Sequence, residues 1–138
     1  MFQASKTISG KMSIEKLWNY YQDVSEWPMW DTSLKNVVLQ GTFSDGATGT
    51  MFFSDEHVPP LSFRFSEVEE NKSFTTTASF ARITVMFCHR IDTLEEETVL
   101  EHSVEVSGVN HDMVHGVGNM LAAQLEPSLE NLKRLTSK

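Results

Sequence analysis

A chain of 138 residues is the size of one domain and long enough to bury a real core. With 40% hydrophobic and 22% charged residues, it has the composition of a soluble globular protein. A net charge of −8, with lysines and arginines scattered rather than clustered, argues against nucleic-acid binding and against docking on anionic membranes.

Residues Phe2 to Ser9 alternate weakly, with Phe2, Ala4 and Ile8 on one side, and predict a first strand that Gly10-Lys11 breaks. The opening residues carry no apolar run behind their charge, so no secretory signal is expected. No stretch approaches the roughly 20 apolar residues of a membrane span. Ser13 then stands as an N-cap before Ile14, Leu17, Trp18 and Tyr21, which share one face of a short helix ending near Gln22. Glu15 suits the dipole of its first turn. The segment Trp27-Pro28-Met29-Trp30 is the densest aromatic stretch. Pro28 biases Trp27 away from helical geometry, which predicts a turn or a short second helix starting near Pro28.

Strands follow at regular intervals. Leu34, Val37, Leu39 and Phe43 lead to the turn Ser44-Asp45-Gly46, and Thr48 to Asp55 runs up to Pro59-Pro60. Phe63 and Phe65 alternate with polar neighbours until Val68 breaks the parity, which predicts a bulge. Phe74 to Phe80 alternates after a polar turn. Ile83, Val85, Phe87, His89 and Ile91 form one face of the next strand, and Leu100, His102, Val104 and Val106 one face of the last. A turn centred between Glu95 and Glu96 gives these two strands a register in which paired numbers sum to 191, so His89 lies opposite His102.

From about Asp112 to Leu135, apolar residues recur at three- and four-residue steps and predict one long helix, roughly 35 Å at about 1.5 Å per residue. Gly116, Gly118, Asn119 and Gln124 weaken its first half, where poor packing on the sheet would leave space. Pro127 predicts a kink by removing the bond to the carbonyl of Ala123. Cys88 is the only cysteine, which excludes an intrachain disulfide and makes a reducing compartment the default. The expected location is the cytoplasm, where the sequon Asn71-Lys72-Ser73 is a chance match.

The order strand, two short helices, six antiparallel strands and long terminal helix resembles the helix-grip fold. It is most similar to the polyketide cyclase/dehydratase-like branch of the superfamily (SRPBCC) that includes START lipid-transfer domains and pollen-allergen-type carriers. The residues that carry the likeness are Val24 to Asp31 after the amphipathic helix, Val37 to Phe43 with Gly46 and Gly49, and Thr98 to Gly108 before the terminal helix. The resemblance covers the whole chain as a single domain. It implies an α+β architecture, a curved antiparallel sheet of about seven strands wrapped around a long C-terminal helix. It also implies a deep apolar cavity between sheet and helix. Within such a branch many members bind lipids, hormones or polyketides and some catalyse cyclisation or dehydration.

In this frame the expected ligand-binding residues are Trp30, Phe63, Thr76, Phe87, His89, His102 and Met120. His89 and His102 are also the candidate catalytic groups, since two imidazoles in a dry pocket polarise a carbonyl or move a proton. Their alternative is structural, with each satisfied by the other or by a buried water. His111 and His115 have the spacing of a helical ligand pair, but no third ligand is evident and no metal or cofactor is expected. Three functions follow. The expected one is a carrier or sensor for an apolar small molecule of lipid, polyketide or aromatic type. The alternatives are a cyclase or dehydratase and a protein-interaction module. No carboxylate is placed to orient either histidine, which favours the carrier.

Overall fold

A computed structural model of the chain describes residues 1–138. One seven-stranded antiparallel sheet runs in the order β1-β7-β6-β5-β4-β3-β2. The strands are β1 (Phe2–Gly10), β2 (Leu34–Gln40), β3 (Thr48–Phe53), β4 (Leu61–Glu69), β5 (Ser73–Phe80), β6 (Ile83–Leu94) and β7 (Glu97–Gly108). Between β1 and β2 lie α1 (Ile14–Gln22), a turn of 3-10 helix at Val24–Glu26, and α2 (Trp27–Trp30). Two further helices, α3 (His111–Ala122) and α4 (Leu125–Thr136), end the chain.

Local chemistry explains most boundaries. Ser13 accepts a hydrogen bond from the Lys16 amide at the start of α1, as an N-cap should. Asn110 caps α3 in the same way through the Met113 amide. The predicted bulge is present. The β4–β5 register shifts between Ser66 and Glu69, Glu67 sits at φ 51°, and Asp45 ties the displaced Val68 amide at 2.7 Å. The β6–β7 hairpin holds the predicted register, with His89 opposite His102.

The terminal helix is interrupted close to the predicted kink. It is two helices rather than one, parted at Ala123 and Gln124, three residues before Pro127. The proline occupies the first turn of α4, where a missing N–H leaves no bond unmade. The Gln124 amide turns back to the Leu121 carbonyl at 3.1 Å, closing α3 with a tighter turn. The expected kink is a two-residue turn at Ala123 and Gln124, whose backbone angles stay right-handed helical, and the bond that Pro127 cannot give to the Ala123 carbonyl is missing there.

The two halves sit differently. Helix α4 packs on β1, β7, α1 and α2, with Leu125, Leu129 and Leu132 buried. Its end is tied down by bonds from the Ser13 amide to the Thr136 carbonyl and from the Lys138 amide to the Lys11 carbonyl. Helix α3 lies on β7 and β1. A Cβ on Gly118 would run into the Phe2 ring, so only glycine lets α3 come this close.

Apolar burial is divided. The main cluster joins α1, α2 and α4 to β2 through β7 and includes Leu17, Trp18, Tyr21, Trp27, Trp30, Phe65, Phe74, Ile91, Leu100, Leu129 and Leu132. A second, smaller cluster under α3 holds Ile83, Val85, Val104, Val106, Val114 and Leu125.

Candidate functional site

The pairing registers lay the sheet's inner face out as rows across the strands. One row carries Phe74, His89, His102 and Lys6, and the next carries Thr76, Phe87, Val104 and Ala4. The first row adjoins the main cluster, and the second adjoins the cluster under α3. Thr76, His89 and His102 are buried yet belong to neither. They form a polar seam between two greasy bodies. Phe87 beside them is only half-buried, although it shares its face with the fully buried Val85.

Aromatic rings enclose the histidines. Phe74 stacks on His89 at 4.0 Å, with the two planes 8° apart. His89 and His102 meet edge to face at 4.6 Å. Trp30 reaches both from α2, at 6.0 and 5.7 Å, and Tyr21 reaches both from α1, at 5.8 and 5.9 Å. The two tryptophans are fixed in turn by α1, since Trp27 Nε1 donates to the Tyr21 carbonyl at 2.8 Å and Trp30 Nε1 to that of Tyr20 at 3.3 Å. The dense aromatic stretch therefore roofs the histidines.

Each imidazole uses one nitrogen within the protein. Nδ1 of His89 donates to the Phe74 carbonyl at 3.3 Å, because a carbonyl only accepts. Nε2 of His102 is 2.7 Å from the Tyr21 hydroxyl. Burial holds both imidazoles neutral. It lowers the pKa of His89 to about 4 against the opposing pull of the Phe74 carbonyl. Burial, and then any charge on His89, hold His102 well below the ordinary histidine range. Burial also pushes the Tyr21 phenol far up, so it remains protonated.

Trp30, Thr76, Phe87, His89 and His102 thus come together, while the other two expected members do not. Phe63 belongs to the aromatic core, stacked on Trp27 at 5.7 Å and edge-on to Phe65 at 5.2 Å. Its place follows from Gly49 opposite it on β3, whose missing side chain makes room for the ring. Met120 is 61% exposed on the outer flank of α3. Helical periodicity puts it off the stripe of Val114, Gly118 and Leu125 that faces the sheet. Tyr21 was not among the expected site residues. Its signal was present in the sequence, a residue with a polar tip on the apolar face of α1.

Two surface hollows lie elsewhere than the expected cavity between α3 and the strands of Thr76, Phe87, His89 and His102. One of these, about 440 Å³, lies mostly over Gln3, Ser5, Met86, Cys88, Ser103 and Glu105, which alternate with the inward-facing residues of β1, β6 and β7. The other, about 330 Å³, separates Trp18 and Gln22 of α1 from Phe43, Asp45 and Val68. Space under α3 is reduced for a physical reason. Gly118 lets the helix settle on Phe2, and the rings of Tyr21 and Trp30 occupy the volume in front of the histidines.

Away from this site, His111 and His115 face each other at 4.3 Å, and His115 packs edge-on against Phe2 at 5.8 Å. Cys88 is half-buried on the opposite face of β6 from His89 and accepts a weak bond from the Thr75 hydroxyl at 3.6 Å.

Solved structures share this architecture over nearly the whole chain. A hypothetical protein of Helicobacter pylori superposes with a TM-score of 0.79 at 13% identity, covering 98% of this chain and 88% of its own. A START superfamily protein from Mycobacterium smegmatis gives 0.72 at 17% identity, covering 97% and 99%. The chain has the START-type helix-grip fold. The di-domain ARO/CYC protein StfQ of the steffimycin biosynthetic pathway gives 0.77 at 9% identity, covering 97% of this chain and 50% of that one. No family model and no curated protein matches the sequence. Identities this low establish the helix-grip fold, and no helix in it is long and apolar enough to cross a membrane.

Proposed function

We propose that this helix-grip protein binds an apolar small molecule, as a carrier or sensor, in the seam between the inner face of β5–β7 and α3. The observation that carries this reading is the split core. A domain of this size ordinarily packs around one contiguous core. Here two apolar clusters are parted by Thr76, His89 and His102, with Phe87 left half-buried beside them. A flat apolar ligand would join the clusters and cover Phe87.

Entry requires α3 to lift from β1. The break at Ala123 and Gln124 supplies a hinge, and α4 stays anchored by the bonds at Thr136 and Lys138. Met113 and Met120, exposed on α3, are adaptable side chains suited to a moving wall. Neither imidazole is hydrogen-bonded to a carboxylate, which supports binding over the acid–base chemistry of a cyclase or dehydratase.

Native mass spectrometry of protein purified from its source tests the reading. A co-purifying small molecule is expected, together with saturable binding of an apolar fluorescent probe that Thr76→Trp abolishes in a folded protein. No saturable binding, or binding indifferent to Thr76→Trp, would overturn it.

A further inference from the structure

Resting on that binding reading, we infer that the ligand carries a hydroxyl group, a phenol or an alcohol on an apolar body, which His89 and His102 recognise together from opposite hydrogen-bonding roles. The hydrogen bonds already made in the protein assign those roles. The Phe74 carbonyl has no proton to give, so Nδ1 of His89 carries the N–H that meets it at 3.3 Å. A neutral imidazole holds one proton, so Nε2 of His89 is a bare acceptor.

The Tyr21 hydroxyl has His102 Nε2, at 2.7 Å, as its one hydrogen-bond partner. A buried hydroxyl directs its proton at an acceptor where one is in reach. The phenol therefore donates, Nε2 of His102 is bare, and the proton of His102 resides on Nδ1. Nδ1 of His102 is a donor.

Neither of these remaining nitrogens is bonded to another protein group, and no fully buried side-chain nitrogen or oxygen lacks a partner. Each is left for a partner from outside the protein. The two rings meet edge to face at 4.6 Å, close enough for one small group to bridge them. A donor and an acceptor side by side are matched by one group that both donates and accepts, and a hydroxyl does so from a single uncharged atom. A carbonyl or an ether would accept from His102 and leave His89 facing a second acceptor. A carboxylate would do the same and would bring a charge into a site with no cation hydrogen-bonded to it. The apolar rings of Trp30, Phe74 and Phe87 around the pair hold the body of the molecule.

Two measurements test this on the folded wild-type protein. Ring nitrogen NMR should find both histidines neutral at pH 7 and protonated at Nδ1. A proton at Nε2 of His89 would overturn the assignment. Titration with 2-naphthol, 2-methoxynaphthalene and naphthalene should give roughly three- to tenfold tighter binding of the naphthol than of its methyl ether, the scale of one neutral hydrogen bond. His89→Phe, which removes the acceptor, should erase that preference between naphthol and ether. Equal binding of naphthol and ether by the wild type overturns the hydroxyl inference alone, whereas failure of all three probes to bind overturns the binding reading beneath it.

Discussion

Tyr21 is where the histidine pair meets the first helix. Its ring is fully buried, and its hydroxyl is the one protein group that satisfies Nε2 of His102. Tyr21→Phe keeps the ring and deletes the bond, leaving a buried nitrogen unpaired. Such losses cost about 1–3 kcal/mol, and urea denaturation should find that deficit. The histidines themselves give stability a pH dependence. In the unfolded chain both titrate near the ordinary histidine value of 6.5, while folding lowers His89 to about 4 and holds His102 well below its usual range. The unfolded state therefore binds more protons as pH falls through 6.5. Stability is complete above that value and declines toward pH 4, at up to about 1.4 kcal/mol per pH unit for each group. The charged group nearest in register is Lys6, opposite His102 at the sheet edge and exposed. Half-buried Asp31, whose pKa folding raises, works in the opposite sense at acid pH. The difference between the wild type and His89→Gln/His102→Gln cancels that contribution. The double variant should show a flatter stability–pH curve between pH 6.5 and 4, and equal slopes would mean that the imidazoles are solvated.

At the scale of elements, α3 is the part with most latitude. Its two glycines look alike in the sequence and do opposite things. Gly116 faces open space, so Gly116→Ala should stabilise the protein by roughly 0.5–1 kcal/mol through helix propensity alone. Gly118 is pressed on Phe2, so Gly118→Ala should destabilise by about 1–3 kcal/mol as α3 is pushed off β1. Thermal denaturation of the two variants checks both signs. If lifting α3 opens the seam, Gly118→Ala should also bind an apolar probe more readily at equal folded fraction. Helix α4 is the opposite case, fixed at Thr136 by the β1–α1 connection and continuous with the main core through Leu129 and Leu132.

Across the whole molecule, Leu125 has a particular position. It begins α4 but packs in the cluster under α3, so it links the two bodies of the core. Leu125→Ala should lower stability by about 2–5 kcal/mol in chemical denaturation. A loss under about half a kcal/mol would mean that the sheet does not grip the helix there. The split core also implies uneven stability. Amides of α3 should exchange faster than those of α4, and a bound ligand should slow α3 selectively.

Much of this architecture was legible in the residues. Period-two alternation marked the strands, the short turn at Glu95 and Glu96 set the register that pairs His89 with His102, and a stripe of leucines marked the gripping helix. These are local quantities, decided within a strand, a hairpin or a helical turn. Tertiary structure decided what depends on distance between elements. It placed Tyr21 against His102 across 81 residues of chain and set Phe63 in the core beneath Trp27. It also turned Met120 outward and let Gly118 close α3 on Phe2. Periodicity tells which face of an element is apolar. Which partner meets that face, and how closely, is settled only when the elements compete for the same volume.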